Sequence, residues 1–198
     1  MEFELYYDYF CPFVYRASLL LANVAVERSP LVHWRYFSLA QVNSKDEGWT
    51  VWGAPAGERV RGRLAFKAAE AARRQDRFEA LHAALLKARH ESRLDVDDIH
   101  VVEPLAEESG LDLDRFRQDL SDPGILEALE RDHTHARTRH GVFGTPTFVF
   151  PNGASAYIRL ADAPSGAEAL DLFDSLMRMA ADEQRVLEIK RPVRPSPD

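Results

Sequence analysis

The order in which β-rich and helical segments alternate constrains the fold of this sequence more than any other feature. Residues 3–8 and 31–39 are short runs rich in aromatic and β-branched residues, which favour strands. Between them, residues 12–27 place valine, leucine and alanine at helical spacing, and Ser29-Pro30 ends the run. A strand, a helix and a second strand in this order predict a βαβ unit with parallel strands.

The C-terminal part of the sequence contains a second unit of three elements. Residues 147–150 and 156–160 are β runs on either side of a Pro-Asn-Gly turn, which predicts a hairpin. Residues 165–182 then return to helical spacing. The order β-α-β followed by β-β-α predicts a four-stranded mixed sheet with one helix packed on each face. This outline is of the α/β class and has a thioredoxin-like topology.

A long helical block separates the two units. It is dominated by alanine, leucine, arginine and glutamate, and breakers divide it into four or five predicted helices. Before it, residues 41–57 have little periodicity and are predicted to form a surface loop. The predicted divisions are a thioredoxin-like domain from residues 1–57 and 140–182, a helical insertion over residues 58–139 and a C-terminal tail over residues 183–198.

Composition limits the class of protein. The 198 residues are 45% hydrophobic, which fits one globular domain with a sizeable core, and the net charge of −7 argues against general nucleic-acid binding. The longest apolar stretch, residues 17–26, is shorter than the roughly 20 residues of a membrane-spanning helix. The acidic residues 1–4 lack the basic region of a secretory signal. We therefore expect a cytoplasmic protein with no membrane or nucleic-acid partner.

Cys11 stands between the first predicted strand and the first predicted helix, with Pro12 at the first helical position. A helix N-terminus stabilises an anion by about 0.3–1 kcal/mol, which favours a thiolate and nucleophilic chemistry there. A lone cysteine is also often buried and inert, and this alternative stays open. With one cysteine in the sequence, an intramolecular disulfide is excluded.

A second motif, Gly144-Thr145-Pro146, precedes the third predicted strand. Proline cannot donate to a strand ladder, so it belongs at a strand start or in a tight turn, where a cis bond is allowed. In a fold of this outline the turn faces the helix N-terminus that carries Cys11. The Thr145 backbone is then free to pair with an extended, thiol-bearing ligand. The alternative interpretation is that the motif only marks the entry to the hairpin.

Three segments carry a resemblance to a known family. Residues 8–15 (Asp-Tyr-Phe-Cys-Pro-Phe-Val-Tyr), residues 108–116 and residues 141–148 (Gly-Val-Phe-Gly-Thr-Pro-Thr-Phe) resemble the DsbA-like thioredoxin family. The similarity is greatest to its FrnE-type cytoplasmic branch, which is related to 2-hydroxychromene-2-carboxylate isomerase and kappa-class glutathione transferase. The resemblance implies a thioredoxin fold with a helical insert, Cys11 as the nucleophile, and Pro146 as a cis-proline beside it.

The motif Cys-Pro-Phe-Val departs from the dithiol members of that family, which carry Cys-Pro-x-Cys. Val14 stands in the place of the second, resolving cysteine, so a dithiol cycle is not possible within this chain. We expect no tightly bound cofactor and an external cosubstrate, glutathione or another low-molecular-weight thiol. Phe13 and Val14 are expected to shape an apolar mouth beside Cys11.

The leading functional hypothesis is therefore a thiol-disulfide oxidoreductase that acts through Cys11 on a small-molecule thiol or a disulfide-bearing substrate. One alternative is a glutathione-dependent isomerase or transferase, in which Cys11 activates the thiol of the cosubstrate instead of attacking a disulfide. Another is a catalytically degenerate binding module that recognises a peptide or small ligand. The sequence leaves open whether the chain forms a homodimer.

Other polar and aromatic clusters are given structural interpretations. His133, His135 and His140 are expected to be surface or capping residues, and no metal site is predicted. The basic run over residues 59–77 is predicted to be a solvated helix face, with an anion site for a ligand carboxylate as the alternative. The tryptophans of the 41–57 loop, Trp49 and Trp52, either line an apolar pocket or pack under that loop.

Overall fold

The computed structural model describes residues 1–191 and contains a mixed β-sheet of four strands in the order β2-β1-β3-β4. The strands are β1 (Glu2–Tyr7), β2 (Leu31–Tyr36), β3 (Thr147–Val149) and β4 (Ser155–Tyr157). β1 and β2 are parallel, whereas β3 runs antiparallel to both β1 and β4. The predicted four-stranded mixed sheet is confirmed.

The helices account for most of the remaining chain. They are α1 (Pro12–Ala25), α2 (Leu39–Asn43), α3 (Arg63–Arg73), α4 (Phe78–His90), α5 (Ile99–Glu108), α6 (Leu113–Ser121), α7 (Gly124–His140) and α8 (Gly166–Met177), which continues into a π-helical turn at Arg178–Asp182. The helical block thus contains five helices, α3 to α7. The prediction of a surface loop over residues 41–57 is wrong at its start, where residues 41–43 belong to α2, which Ser38 caps by accepting the Gln41 N–H at 3.1 Å.

The local sequence explains where α1 begins. Cys11 has an extended backbone (φ −87°, ψ 114°), and Pro12 takes the first helical position, where a missing N–H costs nothing. The buried residues of α1 then follow at helical spacing: Val14, Ala17, Leu20, Leu21 and Val24. Cys11 is therefore fixed at the junction between the loop after β1 and the first turn of α1.

Both faces of the sheet are covered, but the arrangement differs from the prediction. α1 and α8 pack on the same face, against Phe3 and Leu5 of β1 and Phe148 of β3. On the opposite face, Ala136 of α7 packs with Tyr6. The expectation of one helix of the β-α-β-β-β-α frame on each face is wrong, because α7 of the helical block supplies the second cover.

One apolar cluster continues from the end of β1 into the helical block. Tyr7, Tyr9 and Val14 pack there with side chains from all of α3 to α7. The predicted divisions after residues 57, 139 and 182 stay predictions, and residues 192–198 of the predicted tail lie outside the described residues. Within residues 1–191, the helices are all too short or too polar to cross a membrane.

Candidate functional site

Cys11 lies at the N-terminus of α1 and faces the turn before β3. Its Sγ donates a hydrogen bond to the Thr145 carbonyl oxygen at 3.2 Å. Cys11 is buried, with 5% of its surface exposed, and it packs with the apolar cluster that contains Val14, whereas its neighbour Pro12 is exposed. The structure thus brings together the two motifs that the sequence singled out.

The turn at residues 144–146 leaves polar groups of Thr145 unused. The Thr145-Pro146 bond is cis, the Thr147 hydroxyl donates to the Gly144 carbonyl at 2.8 Å, and the Ile158 N–H donates to the Pro146 carbonyl at 3.2 Å. Among the described residues, the Thr145 N–H donates no hydrogen bond and the buried Thr145 hydroxyl has no partner. The hydroxyl is enclosed by the protein, so of these two groups the N–H is the one that β-type pairing with an extended ligand would use.

A buried carboxyl group, Asp8, holds the loop between β1 and α1. Its side-chain oxygens accept the N–H groups of Phe10 and Leu39, both at 2.8 Å, and its carbonyl oxygen accepts the Cys11 N–H at 3.1 Å. Burial raises the pKa of Asp8 to about 6, although both backbone hydrogen bonds act in the opposite direction. Sequence reasoning missed this positioning role; an aspartate two residues before the N–H it accepts is the Asx-turn signal that would have found it.

The two residues after Pro12 point in different directions. Phe13 is half-buried, and its ring lies 3.9 Å from Cζ of Arg159 and 5.3 Å from Cζ of Arg16. Val14 is fully buried in the apolar cluster below Cys11. The expectation that Val14 shapes the mouth of the site is therefore wrong, since the helical turn directs it into the core.

On the other side of Cys11, the half-buried Phe10 is also in contact with arginines. Its ring centroid lies 4.7 Å from Cζ of Arg61 and 4.5 Å from Cζ of Arg89. Cation–π contacts of this kind contribute about 0.5–1 kcal/mol at exposed sites. We use the term mouth for the exposed and half-buried residues around the Cys11 loop and their arginine contacts, which are Phe10, Pro12, Phe13, Arg16, Arg61, Arg89 and Arg159.

The basic run over residues 59–77 is not one solvated face. Arg63 is buried and donates to the carbonyl oxygens of Ala54 and Pro55, at 2.8 and 2.9 Å, so it holds the preceding loop. Arg73 lies over the Phe78 ring at 3.9 Å. The prediction of a solvated face is wrong for these two residues, because each guanidinium has a structural partner.

Of the three histidines of α7, His135 is exposed, whereas His133 differs from the prediction of a surface or capping residue. His133 is buried, stacks on Phe37 and accepts the Ser38 N–H at 3.1 Å, and burial lowers its pKa to about 4. His135 and His140 come together, and their nitrogens lie with a Glu4 oxygen within 4.8 Å of one another.

This group of two histidines and one carboxylate has a donor set that metals use, but Arg35 donates to the same Glu4 carboxylate at 2.9 Å. The positive charge of Arg35 opposes a cation there, so we assign the group no metal-binding role.

The two tryptophans of the 41–57 loop pack locally. Both lie against the small buried cluster of Val51, Ala54 and Val60, Trp52 also contacts the His133 ring, and Trp49 donates to Glu58 at 3.2 Å. Of the two alternatives, packing under the loop is the one that the structure contains.

Comparisons with known protein families agree with this geometry. A family model described as "DSBA-like thioredoxin domain" matches residues 2–178. Among curated proteins, the uncharacterized protein Rv2286c of Mycobacterium tuberculosis is 25% identical, over 98% of this chain and 83% of that protein. The Na(+)/H(+) antiporter NhaA 3 of Salinispora tropica is 31% identical over 75% of this chain, but the match spans only 19% of the antiporter.

Solved structures share the fold at lower identity. The probable DsbA oxidoreductase SCO1869 of Streptomyces coelicolor has a TM-score of 0.64 and 22% identity, over 96% of this chain and 94% of that chain. DsbA of Pseudomonas aeruginosa has a TM-score of 0.59 and 15% identity, over 93% of this chain and 86% of that chain. At these identities the likeness supports the fold alone.

Proposed function

This chain belongs to the family of the DSBA-like thioredoxin domain, and on that premise we propose that it is a thiol-disulfide oxidoreductase that works with Cys11 alone and an external thiol. The observation that carries the proposal is the contact of the Cys11 thiol with the Thr145 carbonyl oxygen at the N-terminus of α1. Cys11 is the N-cap residue of α1, which places its sulfur at the positive end of the helix dipole, and the Thr145 N–H of the neighbouring turn has no protein acceptor among the described residues.

The first chemical step is attack by the Cys11 thiolate on a substrate disulfide, R–S–S–R. A sulfur–sulfur bond forms between Cys11 and one substrate sulfur, the old bond breaks, and the other half leaves as a thiolate. The proton of the Cys11 thiol passes to solvent or to the leaving thiolate. An extended substrate pairs with the free Thr145 N–H while this exchange takes place.

The second step needs a thiol from outside the chain, because Val14 occupies the place of a resolving cysteine and is fully buried. A low-molecular-weight thiolate attacks the mixed disulfide, forms a new disulfide with the bound half of the substrate, and releases the Cys11 thiolate. A second external thiol reduces that product disulfide in solution. Two external thiols thereby supply the two electrons that the substrate gains, and the enzyme is unchanged.

A second candidate function follows from the same absence of a resolving thiol. If the external thiol is glutathione and it stays bound beside Cys11, the site supports isomerisation or conjugation of an electrophilic substrate instead of disulfide exchange. A binding module without catalysis is the third candidate. The cytoplasmic location expected from the sequence stays a prediction.

A coupled assay separates these functions. Reduction of a small disulfide is followed at increasing glutathione concentration with the wild type and with Cys11→Ser. The proposal expects turnover that requires both glutathione and Cys11, with a loss of at least about 10³-fold in the variant, because the covalent step cannot occur without the thiolate. Equal rates for both proteins contradict the oxidoreductase. Calorimetric binding of glutathione without any disulfide turnover would favour the isomerase or transferase, and absence of both would leave the binding module.

A further inference from the structure

Two arginines of the mouth lie beside a groove next to the Cys11 loop. The groove has a volume of about 370 Å³ and is lined by Phe10, Arg59, Arg61, Arg89, Asp95 and Asp97. Pockets that hold small ligands measure about 300–1,000 Å³. Phe10 lines the groove and directly precedes Cys11 in the sequence, so the groove borders the loop that carries the thiol.

Only some of the charged side chains that line the groove have hydrogen-bond or salt-bridge partners. Asp95 forms a salt bridge with Arg59, and Asp97 accepts the N–H groups of Gly62 and Leu64 at 2.6 and 3.1 Å. These acidic side chains already have partners.

Arg61 and Arg89 are the exception. Neither forms a salt bridge or a side-chain hydrogen bond within residues 1–191. The Phe10 ring contacts their guanidinium groups at 4.7 and 4.5 Å, which leaves their N–H donors without protein acceptors. Two such donors without acceptors, on a chain with a net charge of −7, indicate a local site for an anion rather than a general basic surface.

We propose that Arg61 and Arg89 bind an oxyanion, a carboxylate or a phosphate, of the thiol or disulfide that reacts with Cys11. This inference rests on the proposed function and narrows its substrate class to anionic low-molecular-weight thiols and their disulfides. Bidentate hydrogen bonds from guanidinium groups suit both oxyanions. Phe10 positions the two cations, and the adjacent Cys11 then meets the sulfur of the bound molecule.

The first experiment compares two alkylating reagents of nearly equal size, the anionic iodoacetate and the neutral iodoacetamide. The readout is the ratio of their second-order rates at Cys11. Arg61→Gln and Arg89→Gln are each expected to lower the ratio of iodoacetate to iodoacetamide by about 5- to 10-fold, the loss of one charge-assisted hydrogen bond. Arg131→Gln is the matched control, since Arg131 is also an arginine without a salt bridge or side-chain hydrogen bond among the described residues, but it is exposed on α7, outside the mouth. We expect it to change the ratio by about two-fold or less.

An unchanged ratio in Arg61→Gln and Arg89→Gln overturns the proposal. An equal decrease in Arg131→Gln also overturns it, because the effect would then come from the overall charge of the chain rather than from a binding site.

A second experiment keeps the inference testable even if Cys11 does not react. Glutathione disulfide, which carries carboxylates, and coenzyme A disulfide, which carries phosphates, are titrated calorimetrically into Cys11→Ser with and without the two arginine substitutions. Binding of either that is about 10-fold weaker in the substituted protein supports the anion site and identifies the oxyanion, and cystamine, a cationic disulfide, is the negative control. Equal binding of all three disulfides in both proteins overturns it. If Cys11 reacts with neither alkylating reagent, that result contradicts the proposed function but does not contradict the anion site.

Discussion

Two aromatic regions that adjoin at residues 9 and 10 differ in the charge of the polar groups around their rings. The buried aromatic cluster consists of Tyr7, Tyr9, Trp34, Phe78 and His82, and the mouth begins at the next residue, Phe10. In the cluster, burial raises the pKa of Tyr9 and lowers the pKa of His82 to about 3, so both groups are neutral. In the mouth, by contrast, four arginines lie over the half-buried rings of Phe10 and Phe13.

This difference teaches that aromatic residues serve two purposes around one strand end. In the cluster they exclude water and hold the helical block against β1, so changes there are expected to alter stability. In the mouth they support cations beside the thiol, so changes there are expected to alter reactivity. Asp8 joins the two regions, because it is buried yet fixes the backbone of Phe10.

The largest effect is expected where the two regions meet, at Val14. Val14→Cys places a thiol one helical turn from Cys11, in the arrangement of the dithiol members, and converts a residue of the core into a redox partner. We expect mild oxidation to leave no free thiol in this variant, and disulfide reduction to become independent of glutathione when a dithiol reductant is supplied. Thiol titration and intact mass measure the outcome. Two free thiols after oxidation would show that the side chain at position 14 stays packed in the core and does not reach Cys11.

The next effect distinguishes the regions by stability. The Tyr9 hydroxyl is hydrogen-bonded to Nδ1 of His82 at 2.9 Å in the buried cluster. Tyr9→Phe leaves that nitrogen without a partner and is expected to lower the free energy of unfolding by about 1–3 kcal/mol. Tyr15→Phe removes an exposed hydrogen bond to Glu91 and is the control, with an expected change within about 0.5 kcal/mol.

Urea unfolding measures both tyrosine variants. Iodoacetamide rates at Cys11 are recorded in parallel. If Tyr9→Phe changes the activation free energy of that reaction as much as it changes the free energy of unfolding, the two regions do not have separate roles.

The third effect concerns pH. Burial lowers the pKa of His82 from 6.5 to about 3, so between these values the unfolded chain binds more protons and stability rises with pH. His82 contributes a slope of up to about 1.4 kcal/mol per pH unit there, and nothing above pH 6.5. We expect His82→Gln to remove this slope between pH 4 and pH 6. Wild type and variant must be compared directly, because Asp8, whose pKa is raised to about 6, acts in the opposite sense as pH rises from 3.8.

An identical pH slope of the free energy of unfolding in wild type and His82→Gln would mean that the cluster admits water in the folded state.

The sequence predicted the framework of the site because its signals are local. A strand that ends before Cys11-Pro12 and a proline that opens a later strand both follow from backbone constraints, and the structure joins them at 3.2 Å. The direction of Val14 was also within reach, since Val14, Ala17 and Leu21 share one helical face.

The contacts of the mouth were not predictable in the same way. Arg61 and Arg89 reach Phe10 from elements far along the chain, through the packing of five helices, and no periodicity encodes that meeting. The burial of His133 likewise depends on Phe37, nearly a hundred residues earlier. The cover of the second sheet face by α7 has the same origin, because helical spacing marks an apolar face but not the face it meets.

The central claim is that the Cys11 thiol is a working nucleophile in the folded protein. Native protein and a urea-unfolded sample are each mixed with glutathione disulfide and quenched with acid. The intact mass of both samples is then measured. We expect the folded chain to gain one glutathione at Cys11 faster than the unfolded chain, and to lose it again when free glutathione is added. A folded chain that stays unmodified while the unfolded chain reacts would contradict the account.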